Sequence, residues 1–512
     1  MQGVTGSGDP EPPGGHGATA PEGHGLARDM GLLGLAATGI CSMLGAAINV
    51  IPIMIQRNVP GIGPYVLHAY IYGAIPAILA ALAYAILSSA MPRAGGSYVY
   101  GSRGLSPYLG FVASFSQWFG LSIAIGVVSY VMIPFLRDIA TAVGWEPLAE
   151  SLDGGVVRVT LALAFLWTFV GVNLRGVRLY ERTLVPLMFL MFVLGAVVIV
   201  AGFAFDHQDF AAAVQLREGR AIPDTVAPPF RISTYLAASA LLFSSFIGFD
   251  SIAQAGGEAK NPSRALPLAI GIAVLTVGTF YMLFTAAVYH AVPWSYVAEQ
   301  AQTQDLTAPG LLGYLLPPAW TVAIVAGAAI ALMNDLPAML LAVSRLMFAW
   351  AEDGIFPRSV AKVHPEWHTP HVAIVLSGLM ASVGILGSHM AGDFFLGIDI
   401  LVTSMLVNFL VMCLAVLALP RRSPEIARDV SVLPSRTLQI AVAVLGIVML
   451  SIFLVVHVWK DLTADVDAWY FHSTPLWLAV MAVATGVYFK ELRGLRSQGV
   501  DLDGLFSTLP PE

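Results

Sequence analysis

The sequence predicts an all-α protein of about twelve membrane-spanning helices, and three observations support this. Of 512 residues, 57% are hydrophobic and 11% charged, against roughly 25% charged in ordinary soluble domains. Uncharged runs of about 20 residues recur from one end of the chain to the other, and a helix of that length rises about 30 Å, the thickness of a bilayer's hydrocarbon core. Lys and Arg alternate between rich and poor among the connecting segments, the bias that orients a membrane protein.

The apolar runs place spans near 30–56, 65–90, 107–136, 156–174, 183–204 and 233–256, then 267–291, 319–350, 371–389, 394–419, 438–458 and 474–489. The fourth and twelfth carry the weakest signal, because Arg158 intrudes on one and the polar start of the other leaves it barely long enough to cross. With both termini inside, only Arg57, Arg137, Arg158, Arg217, Arg220, Arg231 and Lys460 of the 25 basic residues fall in outer segments. Acids gather there instead, at Asp206, Asp209, Glu218 and Asp224 and at Asp461, Asp465 and Asp467. The topology is therefore multi-pass with cytoplasmic termini. Trp294, Trp459 and Trp469 sit near span ends, as interfacial aromatics do.

The first residues are rich in Gly, Pro and His and lack the basic start and cleavage signature of a secretory signal, so 1–28 reads as a disordered cytoplasmic tail, and 491–512 as a cytoplasmic C-terminal tail. Cys41 and Cys413 lie inside apolar runs, which implies small buried hydrophobes and neither disulfide nor metal cluster. The net charge of −7 suggests no nucleic-acid partner. Oligomeric state is not legible.

Two spans carry a cluster of small and polar residues at mid-depth. Span 1 reads Thr38-Gly39-Ile40-Cys41-Ser42-Met43-Leu44-Gly45-Ala46-Ala47-Ile48-Asn49, and span 6 reads Phe243-Ser244-Ser245-Phe246-Ile247-Gly248-Phe249-Asp250. Such residues let a helix break, and a break inside a membrane is tolerated only where the freed backbone lines a protein cavity. A half-helix N-terminus there faces an anion and the opposite carbonyls face a cation, which suits a zwitterion. The plainer reading is close helix packing through small residues. The matching position of the clusters, five spans apart, favours the broken-helix reading.

The stretch Phe246-Ile247-Gly248-Phe249-Asp250, followed by Gly257-Glu258-Ala259-Lys260-Asn261-Pro262 and Arg264-Ala265-Leu266-Pro267, resembles the span-six signature of the amino acid-polyamine-organocation transporters. Pro92-Arg93-Ala94-Gly95-Gly96-Ser97-Tyr98-Val99-Tyr100 with Gly110-Phe111 resembles that family's loop between spans two and three. Ser344-Arg345, Ala351-Glu352-Asp353-Gly354-Ile355-Phe356-Pro357 and Lys362-Val363-His364-Pro365 resemble the end of its span eight. The resemblance covers about 30–490. It implies a leucine-transporter-like core of two inverted five-helix repeats, about 29–204 and 233–420, with broken helices 1 and 6. Spans 11 and 12, in 421–490, would be peripheral. It further implies secondary transport of amino acids by alternating access, by proton-coupled symport or exchange, with a proton or sodium gradient in place of any cofactor; the compact extramembrane regions and lack of an organelle signal point to a cell inner (plasma) membrane. The positions matching the family's substrate site are Ser42, Gly45, Ala46, Ala47 and Asn49 in span 1 and Phe243, Phe246, Gly248 and Asp250 in span 6.

The chain also departs from the family. Gly45-Ala46-Ala47 stands where relatives carry Gly-Ser-Gly or Gly-Thr-Gly, and Asn49 where an aromatic is common, which suggests a smaller or non-standard substrate. The lysine that some relatives place in span 5 is absent, its position falling near Met191. Asp335 lies mid-span beside Asn334 and two residues before Pro337, where a carboxylate costs on the order of 2.5 to 3.5 kcal/mol. Its expected role, with Asn334, is to bind a cation, a proton or a substrate amine; a carboxylate satisfied by backbone near a proline kink is the alternative. Asp250 is a second candidate for proton exchange, or else a cap on a broken helix end. Phe249 and Trp118 are candidate gates. Phe243, Phe246 and Phe249, spaced by three, either cradle an ammonium or simply pack.

No nucleotide-binding Gly-x-x-x-x-Gly-Lys motif, nucleophile elbow or metal spacing is present in the sequence, which argues against a pump or a membrane enzyme and leaves no catalytic residue to nominate. A polyamine or organic-cation transporter, or a ligand sensor on the same fold, remains the alternative.

Overall fold

The computed structural model describes residues 26–510, apart from 223–224, 392–394 and 467. Most of the expected N-terminal tail therefore lies outside the described residues, as do the outer-loop acids Asp224 and Asp467; the side chains of Ala46 and Ala47 are likewise undescribed.

Eleven helices among the described residues are long and apolar enough to cross a membrane. Span 1 comprises Leu32–Met43 (1a) and Ala46–Asn58 (1b). The others are Gly63–Ala90 (span 2), Pro107–Ala142 (span 3), Gly155–Leu174 (span 4), Val177–Ala204 (span 5), Pro262–Ala291 (span 7), Pro318–Glu352 (span 8), His371–Ala391 (span 9), Phe395–Arg422 (span 10), Arg436–Thr463 (span 11) and Ser473–Ser497 (span 12). The run expected to form the sixth span is not one helix. It is Ile232–Leu242 (6a), a 3-10 turn Phe243–Phe246, extended backbone at Ile247, and a short helix Asp250–Gln254 (6b). Only two isolated bridges, Met30 with Ala259 and Ala94 with Ala255, interrupt the helical character of the described residues.

The weak signals resolve physically. Arg158 is tolerated in span 4 because its guanidinium lies 3.8 Å over the Tyr130 ring and its Nε donates to the Tyr130 carbonyl at 3.3 Å, so the charge rests on span 3. Span 12 gains a proper start from Asp461, whose two carboxylate oxygens accept from the Ser473 and Thr474 N–H groups at 2.8 Å each. Turn residues punctuate the rest. Gly176, at φ 101°, separates spans 4 and 5, and Asn261, at φ 51°, precedes Pro262 at the first position of span 7.

Span 3 packs against spans 8, 9 and 10, and span 7 against spans 1, 2 and 5. Spans 1, 3 and 8 are buried along most of their length, whereas spans 4, 5, 11 and 12 turn largely apolar surface outward, as helices facing lipid do. Both described chain ends lie at one end of the bundle. The Met30 N–H donates to Glu258 O at 2.9 Å, and the short helix Leu502–Ser507 places the Leu505 and Thr508 carbonyls against Arg103.

Two buried ion pairs close that same end. Arg345 of span 8 meets Glu258, just after 6b, through Nε to Oε2 at 3.3 Å and Nη2 to Oε1. Arg103, in the helix Gly96–Gly104, meets Asp353 through Nη2 to Oδ1 at 2.9 Å and Nη1 to Oδ2, while the Tyr98 hydroxyl donates to the same carboxylate. All four charged side chains are at most 3% exposed. Removing one member of such a pair strands the other's charge, which costs about 3–5 kcal/mol, whereas the intact pair contributes little beyond its own desolvation.

Candidate functional site

The two helix breaks touch each other. The last regular bond of 1a is Leu44 N–H to Ile40 O at 2.9 Å; Gly45 then departs from helical geometry, at ψ −122°, and 1b starts at Ala46. The Met43 carbonyl, freed by the break, accepts from the Tyr281 hydroxyl of span 7. Gly248 in span 6 has φ 137°, a conformation that disfavours any side chain, and a methyl there would fall 2.4 Å from the Ser42 carbonyl oxygen. Glycine therefore permits both the backbone conformation and the contact of the two breaks. Ser42 and Ser251 join them through their hydroxyls at 3.0 Å.

Span 8 completes the arrangement. A methyl on Gly45 would lie 2.0 Å from Asp335 Oδ2, so the carboxylate occupies the space a side chain at the span 1 break would need. Asp335 is 5% exposed, and its Oδ1 has no hydrogen-bond partner among the described residues. Buried polar atoms are almost always paired. Asn334 beside it donates to Cys41 Sγ at 2.9 Å and to the Leu184 carbonyl at 3.2 Å, tying span 8 to 1a and span 5.

Asp335 lines a cavity of about 70 Å³ together with Ser42, Met43, Val50 and Ile51 of span 1, Ala124, Val127, Val128 and Val131 of span 3, Ser244 and Ile247 of span 6, Met339 of span 8, and Ile398 and Leu401 of span 10. The polar side chains on this wall are two serine hydroxyls and one carboxylate; the remainder is apolar. A cavity of this kind suits a compact ligand with a cationic head at Asp335 and a short aliphatic body among the valines and isoleucines. The start of 1b supplies N–H groups that an α-carboxylate would use.

The nominated residues divide between this cavity and other environments. Ser42 lines it, Gly45 and Gly248 shape the backbone around it, and Ala46 opens 1b. Ala47 lies in the first turn of 1b. Asn49 lines a separate cavity of about 20 Å³ behind 1b, shared with Met191, Phe280 and Phe284. Phe243 packs on Phe409 and Phe453, Phe249 stacks on Phe409, and Phe246 lies against Tyr70 and Tyr281. Trp118 packs on Phe115 and Trp350 with its indole nitrogen unpartnered among the described residues.

Asp250 is fully buried away from that wall. Its Oδ1 accepts from the Gly248 N–H at 3.0 Å, which caps the break, and its Oδ2 accepts from Gln117. The network continues through Gln254, which donates to Ser97 Oγ at 2.7 Å, and through Asn408, which donates to Tyr84 at 2.7 Å and to Gln117 at 3.3 Å. Asp250 thus links 6b to spans 2, 3 and 10.

Sequence reasoning did not single out the span 3 valines, Met339 or the span 10 residues; Ile247 stood inside the quoted span 6 cluster without being nominated. Ser244 stood inside the quoted cluster, and Met339 lies four residues after Asp335, hence on the same helix face. The valines carry no local signal beyond ordinary apolar composition.

Residues 30–483 match the family described as amino acid permease. The chain belongs to that family, within the amino acid-polyamine-organocation superfamily. It is 26% identical over 410 residues to a branched-chain amino acid permease of Bacillus subtilis, covering 79% of this chain and 83% of the relative. It is 26% identical over 342 residues to a low-affinity putrescine importer of Escherichia coli, covering 67% and 69%. A methylthioribose transporter of Bacillus subtilis matches at 26% over 481 residues, 91% and 93% of the two chains. The protein is accordingly a multi-pass secondary transporter of a small molecule, and not an enzyme.

Proposed function

We propose that the protein carries a small amino acid or amine, bearing a cationic nitrogen and a short aliphatic part, across the plasma membrane with both termini in the cytoplasm. The core would be two inverted repeats, 29–204 and 233–420, that alternate around the cavity between the broken helices. Asp335 would be the coupling group, exchanging a proton or holding the ammonium, so that transport is proton-linked symport or exchange. The observation that carries this reading is the unpartnered carboxylate of Asp335 on an otherwise nearly apolar wall. The branched-chain amino acid relative agrees with the aliphatic lining, and the putrescine relative keeps an amine without a carboxylate as the second reading.

The test is uptake of a labelled panel of amino acids and polyamines into proteoliposomes under imposed pH or sodium gradients, comparing wild type with Asp335→Asn. Uptake that follows the pH gradient and collapses in the variant supports the proposal. Normal gradient-driven uptake by the variant removes Asp335 from the mechanism and leaves Asp250 as the acid to examine.

A further inference from the structure

A second feature faces outward and is independent of the transport cavity. The outward faces of spans 2 and 7 wall an apolar groove of about 1110 Å³ on the outer surface of the bundle, lined by residues such as Ile71, Ile78, Leu268 and Leu275. Its breadth follows from small residues. Ala74 and Ala81 lie on the span 2 wall, and Gly271 and Gly278 face it from span 7, with open space in front of Gly271. The groove has a cationic mouth at one end, formed by Ser263 and Arg264 at the start of span 7 and by Ser431 from the loop before span 11; the one other polar side chain on its wall is Thr279, far from that mouth. Arg264 is exposed, and its guanidinium meets no acid or acceptor among the described residues. At its inner depth the groove reaches Phe246, whose ring lies 3.8 Å from where a Gly278 methyl would sit and one residue before the extended break of span 6.

We infer that this groove is a specific site for an anionic phospholipid, its phosphate held by Arg264 and the serine hydroxyls and its acyl chains laid between spans 2 and 7 as far as Phe246. Three features select this occupant. The polar end is cationic and lies at the same end of the bundle as both described chain ends, where the orientation read from the basic residues puts the anionic inner leaflet. Apart from Thr279, the rest of the groove is apolar from Pro267 to Met282, about 22 Å along span 7, long enough for acyl chains of one leaflet and unsuited to a soluble anion. Among the described residues the Arg264 charge has no partner, so a phosphate would supply its counter-charge. A lipid seated there would also buttress the ring of Phe246 from outside and so sense the span 6 break.

Native mass spectrometry of the full chain in detergent, titrated with dioleoyl-phosphatidylglycerol or dioleoyl-phosphatidylcholine, tests this. Wild type is expected to retain phosphatidylglycerol about fivefold more readily, the equivalent of about 1 kcal/mol for one basic residue near anionic lipid. Arg264→Gln should erase the headgroup preference while still retaining both lipids. Gly271→Leu should fill the groove and reduce retention of both, and because nothing lies within 4 Å of that position the variant is expected to fold and melt as wild type does. Equal retention of the two lipids by wild type, or a preference that survives both substitutions, would overturn the assignment and leave only unselective annular lipid.

Discussion

Replacing Glu258 by glutamine isolates the energetics of the closed end of the bundle. The substitution preserves shape and one acceptor oxygen but removes the charge facing Arg345, whose other side-chain partner is the Ser344 hydroxyl at 2.8 Å. Glu258 is fully buried and Arg345 nearly so, hence water cannot replace the lost carboxylate. An uncompensated buried charge costs about 3–5 kcal/mol, equivalent to roughly two to four powers of ten in the folded-to-unfolded ratio. The fraction of monodisperse protein surviving a temperature series in detergent should fall well below that of wild type. Asp353→Asn should cost less, because Arg103 keeps the Ser102 hydroxyl at 2.9 Å and the Thr508 carbonyl at 3.1 Å as acceptors. The paired replacement of Glu258→Leu with Arg345→Met should recover most of the loss, since apolar pairs of similar volume substitute well for buried ion pairs. If Glu258→Gln melts with wild type, the charge is compensated elsewhere. If the apolar pair melts lower than the single variant, the pair supplies specificity that charge bookkeeping misses. Either result refutes this account.

Three further expectations concern other parts of the molecule. Gly248→Ala forces a side chain into both a disfavoured φ and the Ser42 carbonyl; it should lower thermal stability by about 1–3 kcal/mol and abolish proteoliposome uptake. Gly45→Ala should also stop uptake, and combining it with Asp335→Gly should relieve the stability loss without restoring gradient-driven transport, measured as a double-mutant cycle. In the outer helix His207–Glu218, burial pushes the Glu218 carboxyl up, but hydrogen bonds from Tyr296, Tyr314 and Arg220 outweigh it and hold the group below its ordinary range. A lowered folded pKa contributes stability that is present above the unfolded value of about 4.3 and lost as pH falls through the folded one. Hydrogen exchange over 207–218, corrected for intrinsic rate, should therefore stay flat from about pH 7 to about 5 and rise below about pH 4. Glu218→Gln should exchange faster at neutral pH and lose the acid step; an unchanged variant would show the cluster to be ornamental.

Much of the scaffold was legible because membrane helices announce themselves by length and apolarity, and because Gly45 and Gly248 stand in runs where small residues have few other uses. Side-chain direction inside the breaks was not. The spacing of Phe243, Phe246 and Phe249 suggests one helical face, but the helix gives way to a 3-10 turn at Phe243–Phe246 and to extended backbone at Ile247, so no single helical period runs through the three positions. The rings therefore turn toward spans 2, 7, 10 and 11, and Ser244 and Ile247 take the cavity wall. The ion pairs were equally hidden. Arg103 and Asp353 are 250 residues apart, and although each lies in or beside a recognisable motif, nothing local says that the motifs meet. Asp335 was visible for the opposite reason, since an acid in the middle of an apolar run is conspicuous wherever it points.

Span 8 carries Asp335, Arg345 and the Asp353 cap on one continuous helix from Pro318 to Glu352. At 1.5 Å per residue, the eighteen positions from Asp335 to Asp353 make a rigid arm of about 27 Å, with Pro337 removing a backbone hydrogen bond close to its inner end. A tilt of about 5° at that end sweeps the far end by roughly 2 Å, comparable to the reach of a charged hydrogen bond. Under the proposed coupling role of Asp335, one proton or one ammonium arriving at the carboxylate would need to tilt span 8 by only that much to strain the Arg103–Asp353 pair at its far end.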